Sequence, residues 1–151
     1  MADNFYLELL QHGKEVWNQW RTDHRDIREI DLSAANLRGL DLSQYIFTGV
    51  NFQAADLQEA NLSRAYLALC NFQKANLQQA NLQYAHIRKA YFDETILRDA
   101  DLRGADLTFS RIVHVDFTGA DLTDAVFQSV RLNHTDLRQT KGTPHSQREN
   151  A

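Results

Sequence analysis

The chain has 151 residues, a formal net charge of −4 and 24% charged side chains of mixed sign. That balance excludes the basic footprint of a nucleic-acid binder and gives no strong acidic field. The length suits one domain with its own core. No stretch of 18 apolar residues suggests a transmembrane helix.

The opening residues, MADNFYLELLQHG, lack the basic n-region and cleavage site of a secretory signal. The single cysteine, Cys70, has no partner for an intramolecular disulfide and fits a reducing compartment. The expectation is a cytoplasmic protein with no membrane attachment.

The first element in the chain reads as helix. Tyr6, Leu9, Leu10, Gly13, Trp17 and Trp20 fall at the three- and four-residue spacings of one helical face. Asp3 offers an N-cap, and Gly13 weakens or breaks the run midway. The pattern predicts a helical unit within residues 1–26, running from about Asn4 to Arg21 in one piece or two.

From about Ile27 to Leu137 a period of five takes over. Of the 22 positions numbered 5n+2 between Leu32 and Leu137, 14 are Leu, six are Phe, two are Ile and none is polar. Call this residue i. Position i−2 is Ala in 12 of the 22 units, and position i−1 is Asp or Asn in 14. Positions i+1 and i+2 are mostly polar. Two apolar residues flanking a polar one is strand alternation, with i−2 and i pointing inward. A helix of 3.6 residues per turn cannot hold a strict period of five on one face. Gly39, Gly49, Gly104 and Gly119 all fall at i+2, the position that takes a positive φ in a type II turn starting at i. The chain therefore alternates very short strands with turns.

These units, at their cleanest in ADLQEANLSRAYLALCNFQKANLQQANLQYA, resemble the A(D/N)LXX motif of the pentapeptide-repeat family. The resemblance implies an all-β solenoid: a right-handed quadrilateral β-helix with 20 residues per coil, about five and a half coils over residues 27–139. Phe52, Phe72 and Phe92, spaced by 20, would then stack in one column. A solenoid must cover its ends, so the N-terminal helical unit is expected to be a cap. A membrane-surface or partner-binding helix is the alternative, and its polar face is not basic enough for a membrane anchor. In the first coil Ile30, Leu40, Tyr45 and Val50 replace the small i−2 residue. They either widen the coil or pack on the cap. Residues 140–151, TKGTPHSQRENA, are polar and without pattern, and are expected to be a disordered tail.

No catalytic arrangement emerges, so an enzyme is not expected. There is no GxGxxG, P-loop, CxxC or HExxH, and no cofactor is implied. The Asp and Asn ladders at i−1 read as outward groups that cap turns. His114 and His134, with Glu94 one coil below, share a column and could ligate a metal; exposed turn residues are the simpler reading. Cys70 takes the place of a small buried alanine.

One side stands out. Its outward positions include Ile46, Tyr66, Leu69, Phe109 and Val126, a column of apolar groups that suggests a protein-binding face; cover by the N-terminal helix is the other explanation. The resemblance implies a non-enzymatic interaction or scaffold protein with a protein partner. It also offers an alternative, a DNA mimic that binds DNA gyrase or topoisomerase, as in quinolone-resistance members. Residues 31–139 carry 13 acids and 10 bases, and Arg88, Lys89, Arg98, Arg103 and Arg111 interrupt any acidic stripe. No apolar module follows the last coil and Arg131 and Arg138 sit on it, so a monomer is expected.

Overall fold

The computed structural model describes residues 1–145. Two helices, α1 (Asn4–Gln11) and α2 (Lys14–Asp23), precede four short strands: β1 (Ile30–Asp31), β2 (Val50–Asn51), β3 (Arg111–Val113) and β4 (Arg131–Asn133). β1 pairs with β2 and β3 with β4, both in parallel. Single-residue bridges continue the same pairing elsewhere, such as Asn36 with Asp56, Asp41 with Asn61 and Ile46 with Tyr66. Each of these partners lies one 20-residue coil further on. A period of five within a coil of 20 gives four walls. We number them by their first inward residue: wall 1 from Leu32, wall 2 from Leu37, wall 3 from Leu42 and wall 4 from Phe47.

The strands are short because each wall offers only three bonding groups to each neighbouring coil. Leu37 donates its N–H to the Asp56 carbonyl at 2.8 Å, and Asp56 donates back to the Ala35 carbonyl at 2.9 Å. The corner follows at once, closed by bonds such as Ala60 N–H to Leu57 carbonyl at 3.1 Å. Seventeen non-glycine residues have positive φ, all of them at i+2 and all between 49° and 63°. The four glycines at i+2 share that conformation, so the turn read from the glycines holds for nearly every unit.

From Leu32 to Phe127, leucine, isoleucine and phenylalanine at i fill the interior with buried alanines at i−2 beside them, while Leu132 in the last coil is 40% exposed. Phe52, Phe72 and Phe92 stack at centroid separations of 5.3 and 5.1 Å, the column expected from their spacing. Where a buried i−2 residue is polar, its side chain donates to the turn carbonyl one coil below: Cys70 to Phe47 at 3.0 Å, Thr95 to Phe72 at 2.7 Å and Ser110 to Ile87 at 2.7 Å; Thr135, in the last coil and not buried, donates instead to the Asn133 carbonyl at 3.0 Å. Such a bond is what lets a polar group stay buried.

The cap forms in two pieces. Asp3 accepts from the Phe5 N–H at 2.9 Å and caps α1. Gly13, at φ 91°, separates the helices. Trp17 is fully buried and its ring lies 5.2 Å from that of Phe47 and 6.4 Å from that of Tyr45. Of the large i−2 residues in the first coil, Ile30, Tyr45 and Val50 are buried. Leu40 is not: it is 43% exposed, because the wall beneath it is not covered by the cap.

At the other end the expected disorder does not begin at Thr140. Lys141 bridges Asp121 and His145 bridges Val126. The second pairing spans 19 residues instead of 20, so the register shortens by one around Gly142, at φ 69°. Ladder pairing needs only main-chain groups, so the polar side chains of this segment do not oppose it. The remainder of the expected tail lies outside the described residues.

Candidate functional site

Wall 4 holds the five residues that the sequence singles out. Tyr66, Leu69 and Phe109 are 48%, 53% and 51% exposed, while Ile46 and Val126 are half-buried. The N-terminal helices do not lie over the wall's length; α2 meets only its first coil. There Trp17 Nε1 donates to the Ile46 carbonyl at 2.9 Å, and Asn18 accepts from the Ile46 N–H at 2.8 Å. Arg21 donates to the carbonyls of Thr48 and Ile27. Burial lowers the pKa of this guanidinium. Ile46 is thus engaged by the cap, and the other four line the wall above it.

At i−1 wall 4 departs furthest from Asp and Asn, while wall 1 departs at Tyr91, Arg111 and Arg131 and wall 2 at Ile96. All 14 Asp and Asn residues at i−1 accept a hydrogen bond from the main-chain N–H two residues on, as Asn61 does from Ser63 at 3.1 Å and Asp121 from Thr123 at 3.0 Å. Wall 3 has this bond in every unit from Asp41 to Asp121. Wall 4 has it only at Asp106. Ile46, Tyr66, His86 and Val126 replace the Asp or Asn there.

Next to Tyr66 lies a feature the sequence reading missed. A shallow groove of about 820 Å³ runs along the corner between walls 3 and 4, lined in part by Arg64, Tyr66, Tyr84, His86 and Asp106. Tyr66 and His86 stack at 4.9 Å, and Arg64 lies 4.9 Å from the Tyr84 ring centroid. Tyr84 rests where a side chain at Gly104 would stand: a Cβ there would come 2.5 Å from two of its ring carbons. The 20-residue spacing of Arg64, Tyr84 and Gly104 is the signal that could have found it.

The candidate metal column is differently arranged. The rings of His114 and His134 stack at 4.7 Å and 8° from parallel. Among the described residues no group of three or more His, Cys, Asp or Glu side chains is placed to hold an ion. Cys70 is fully buried, and burial pushes its thiol up to about 12. A cavity of about 490 Å³ opens between α1 and walls 2 and 3 of the first coil. Among the described residues no helix is long and apolar enough to cross a membrane.

The profile of the family described as pentapeptide repeats matches eight copies, over residues 26–64, 60–99, 70–108 and 100–139. Among solved structures, the chain is similar to a pentapeptide repeat protein, Rfr23, from the cyanobacterium Cyanothece 51142. The two share 22% identity at a TM-score of 0.54, covering 85% of this chain and 95% of that one. A pentapeptide repeat protein of the Arabidopsis thaliana thylakoid lumen is 25% identical at a TM-score of 0.42, with 81% and 74% covered. QnrB1, a plasmid-mediated fluoroquinolone resistance protein, is 16% identical at a TM-score of 0.45, with 80% and 82% covered. Among curated proteins, none matches the sequence significantly. The repeat units, their 20-residue pairing and the profile match agree: the chain belongs to the pentapeptide repeat family, and its fold is a right-handed quadrilateral β-helix with an N-terminal helical cap.

Proposed function

We propose that this protein is a non-enzymatic interaction or scaffold protein of the cytoplasm that binds a protein partner through wall 4. The observation that carries the reading is what wall 4 gives up. Four of its five i−1 residues forgo a side-chain-to-main-chain bond that every unit of wall 3 makes from Asp41 to Asp121, worth roughly 0.5–1.5 kcal/mol each. Leu69 and Phe109 add a second cost. Both hold a large apolar side chain in a left-handed turn, at φ 62°, and leave it half in water. Stacking of Tyr66 on His86 returns part of this cost, and a partner that covers Tyr66, Leu69, Phe109 and Val126 would recover the apolar area.

Affinity capture from the source organism's extract, comparing the wild type with a Leu69→Ser/Phe109→Ser variant, tests this. A partner retained by the wild type and lost by the folded variant supports wall 4. Equal capture by both moves the interface elsewhere.

The DNA-mimic reading draws less support. Arg98, Arg103 and Arg111 pair with Asp116, Asp101 and Asp93 at 2.5, 2.7 and 3.0 Å, so acids along the rod are locally neutralised. A gyrase supercoiling assay inhibited at low protein concentration would reverse this preference. The unit we propose is a monomer, since Arg131 stands on the exposed β4 edge and Arg138 is exposed on the unit that follows. Sedimentation equilibrium checks it.

A further inference from the structure

We infer that the N-terminal end of the solenoid is a docking site for an extended peptide segment of a partner protein, which adds a strand along walls 2 and 3. This site is separate from wall 4 and does not depend on it.

In every coil, three main-chain groups of each wall point toward the N-terminal end: the N–H and C=O of i−1 and the C=O of i+1. In the first coil the chain itself covers two walls. On wall 1, Asp3 and Ala2 donate their N–H groups to the carbonyls of Asp31 and Ser33, at 2.9 and 2.8 Å. On wall 4, Asn18, Trp17 and Arg21 serve the groups of Ile46 and Thr48. Walls 2 and 3 receive nothing. Among the described residues, no protein group bonds the N–H or C=O of Asn36, the N–H or C=O of Asp41, or the carbonyls of Arg38 and Ser43.

The floor under this open edge is apolar. The cavity of about 490 Å³ is lined mostly by apolar side chains, Leu7, Leu10, Leu37, Leu40, Leu42 and Tyr45, with Gln11 and the edge residues Asn36 and Asp41 completing it. Leu40, at 43% exposure, stands where the later coils of wall 3 place buried alanines, from Ala60 to Ala120. A core-type residue thus faces a space that no core fills.

The occupant follows from the complementarity. Donors and acceptors at strand spacing, beside a pocket for an apolar side chain, are what an extended peptide offers in β-augmentation. On wall 1 main-chain N–H groups of Ala2 and Asp3 already meet two carbonyls of the same kind, and the open edge continues around the corner from them. A small apolar ligand would fill the cavity but leave the six main-chain groups to water.

The probe is a fluorescein-labelled peptide, ADLQEANLSRA, copied from residues 55–65. In the solenoid this segment pairs with the other side of the Asn36–Asp41 edge, so its leucines are spaced to turn the same corner. Anisotropy with the full chain is expected to show saturable binding, with new hydrogen-exchange protection at the Asn36 and Asp41 amides. N-methylating the two leucines removes the donors to the Asn36 and Asp41 carbonyls. Affinity should then fall roughly tenfold or more, at about one hydrogen bond's worth per donor. Leu40→Asp should weaken binding similarly, while Leu69→Ser/Phe109→Ser leaves it unchanged. No saturable binding, equal binding of the N-methylated peptide, or protection at Leu132 and Leu137 instead would overturn the proposal. So would protection of Asn36 and Asp41 without peptide in a self-associating sample, which would assign the edge to a second copy of the chain.

Discussion

Replacing Gln79 with glycine is expected to stabilise this protein, although it removes a side chain and frees the unfolded backbone. Gln79 sits at i+2 of wall 2 with φ 58°, exposed to solvent. Holding an L-residue in the left-handed region costs about 1–2 kcal/mol, and glycine avoids this. Glycine's extra unfolded-state entropy returns about 0.5–1 kcal/mol. The difference favours Gln79→Gly by about 0.5–1 kcal/mol. The reverse change supplies the control. At Gly39, φ 68°, nothing lies within 4 Å of an added Cβ, so Gly39→Ala should lose a similar amount through backbone strain alone. At Gly104 the Cβ would also displace the Tyr84 ring. Gly104→Ala should therefore cost about 1 kcal/mol more than Gly39→Ala, the lower end of an overpacking penalty. Urea unfolding followed by circular dichroism, compared through midpoints at unchanged slope, measures all three. A lower midpoint for Gln79→Gly would refute the reasoning: the turn would then be relaxed for side chains and the four glycines would need another explanation.

Three further outcomes are expected. Phe72→Ala opens a hole in the middle of the aromatic column and should cost about 3–5 kcal/mol, read from the same unfolding curves; a loss under about 1 kcal/mol would mean that the neighbouring coils collapse to fill it. Cys70 should not react with an aromatic disulfide reagent at neutral pH until the chain unfolds, given its burial and its raised thiol, and Cys70→Ser should fold, since Ser110 already makes the same bond to the turn carbonyl one coil below it. Acid should destabilise the protein. The Ser43 and Thr123 hydroxyls, with the main-chain N–H groups beside them, hold Asp41 and Asp121 below the ordinary carboxylate value, and the Arg138 guanidinium brings Asp136 down to about 2. A carboxylate depressed in the folded state contributes fully above its unfolded pKa of about 3.9 and loses that contribution as pH falls through the folded value. The melting temperature should stay level down to about pH 5 and then fall below about pH 4; a fall already complete at pH 5 would point to other groups.

The repeat was legible because it is local. Inward i and i−2, the corner at i+2 and the turn-capping Asp and Asn each follow from residues within one five-residue unit. The helical cap was legible for the same reason, since Tyr6, Leu10 and Trp17 fall at helical spacings and are residues that α1 and α2 bury. What lay one coil away was harder to read. That Tyr84 occupies the space over Gly104 depends on a neighbour 20 residues distant. The ends were least legible, because period does not say what covers an edge. Leu40 has the spacing of an inward residue and lacks the coil beneath it. Lys141 and His145 have no repeat signature, yet their main chain continues the ladder at one residue shorter.

The two candidate surfaces differ in the kind of recognition they permit, and the fold decides which. Along the walls every coil is bonded to the next: Leu57 to Asn76, Leu62 to Asn81 and Leu67 to His86 are instances of a ladder that consumes the main chain. A partner meeting a wall finds side chains alone, so specificity there must come from changes at i−1, i+1 and i+2. Wall 4 shows such changes, with Ile46, Tyr66, His86 and Val126 in place of Asp or Asn. Because coil stability is a sum of neighbour interactions, a wall can lose several capping bonds without endangering the stack. The ends obey the opposite rule. On walls 2 and 3 of the first coil the outer main-chain groups have no partner among the described residues, so a partner gains by supplying backbone. The six free groups between Asn36 and Ser43, above an apolar floor, therefore favour a partner chosen for its extended shape, while Leu69 and Phe109 favour one chosen for its apolar surface.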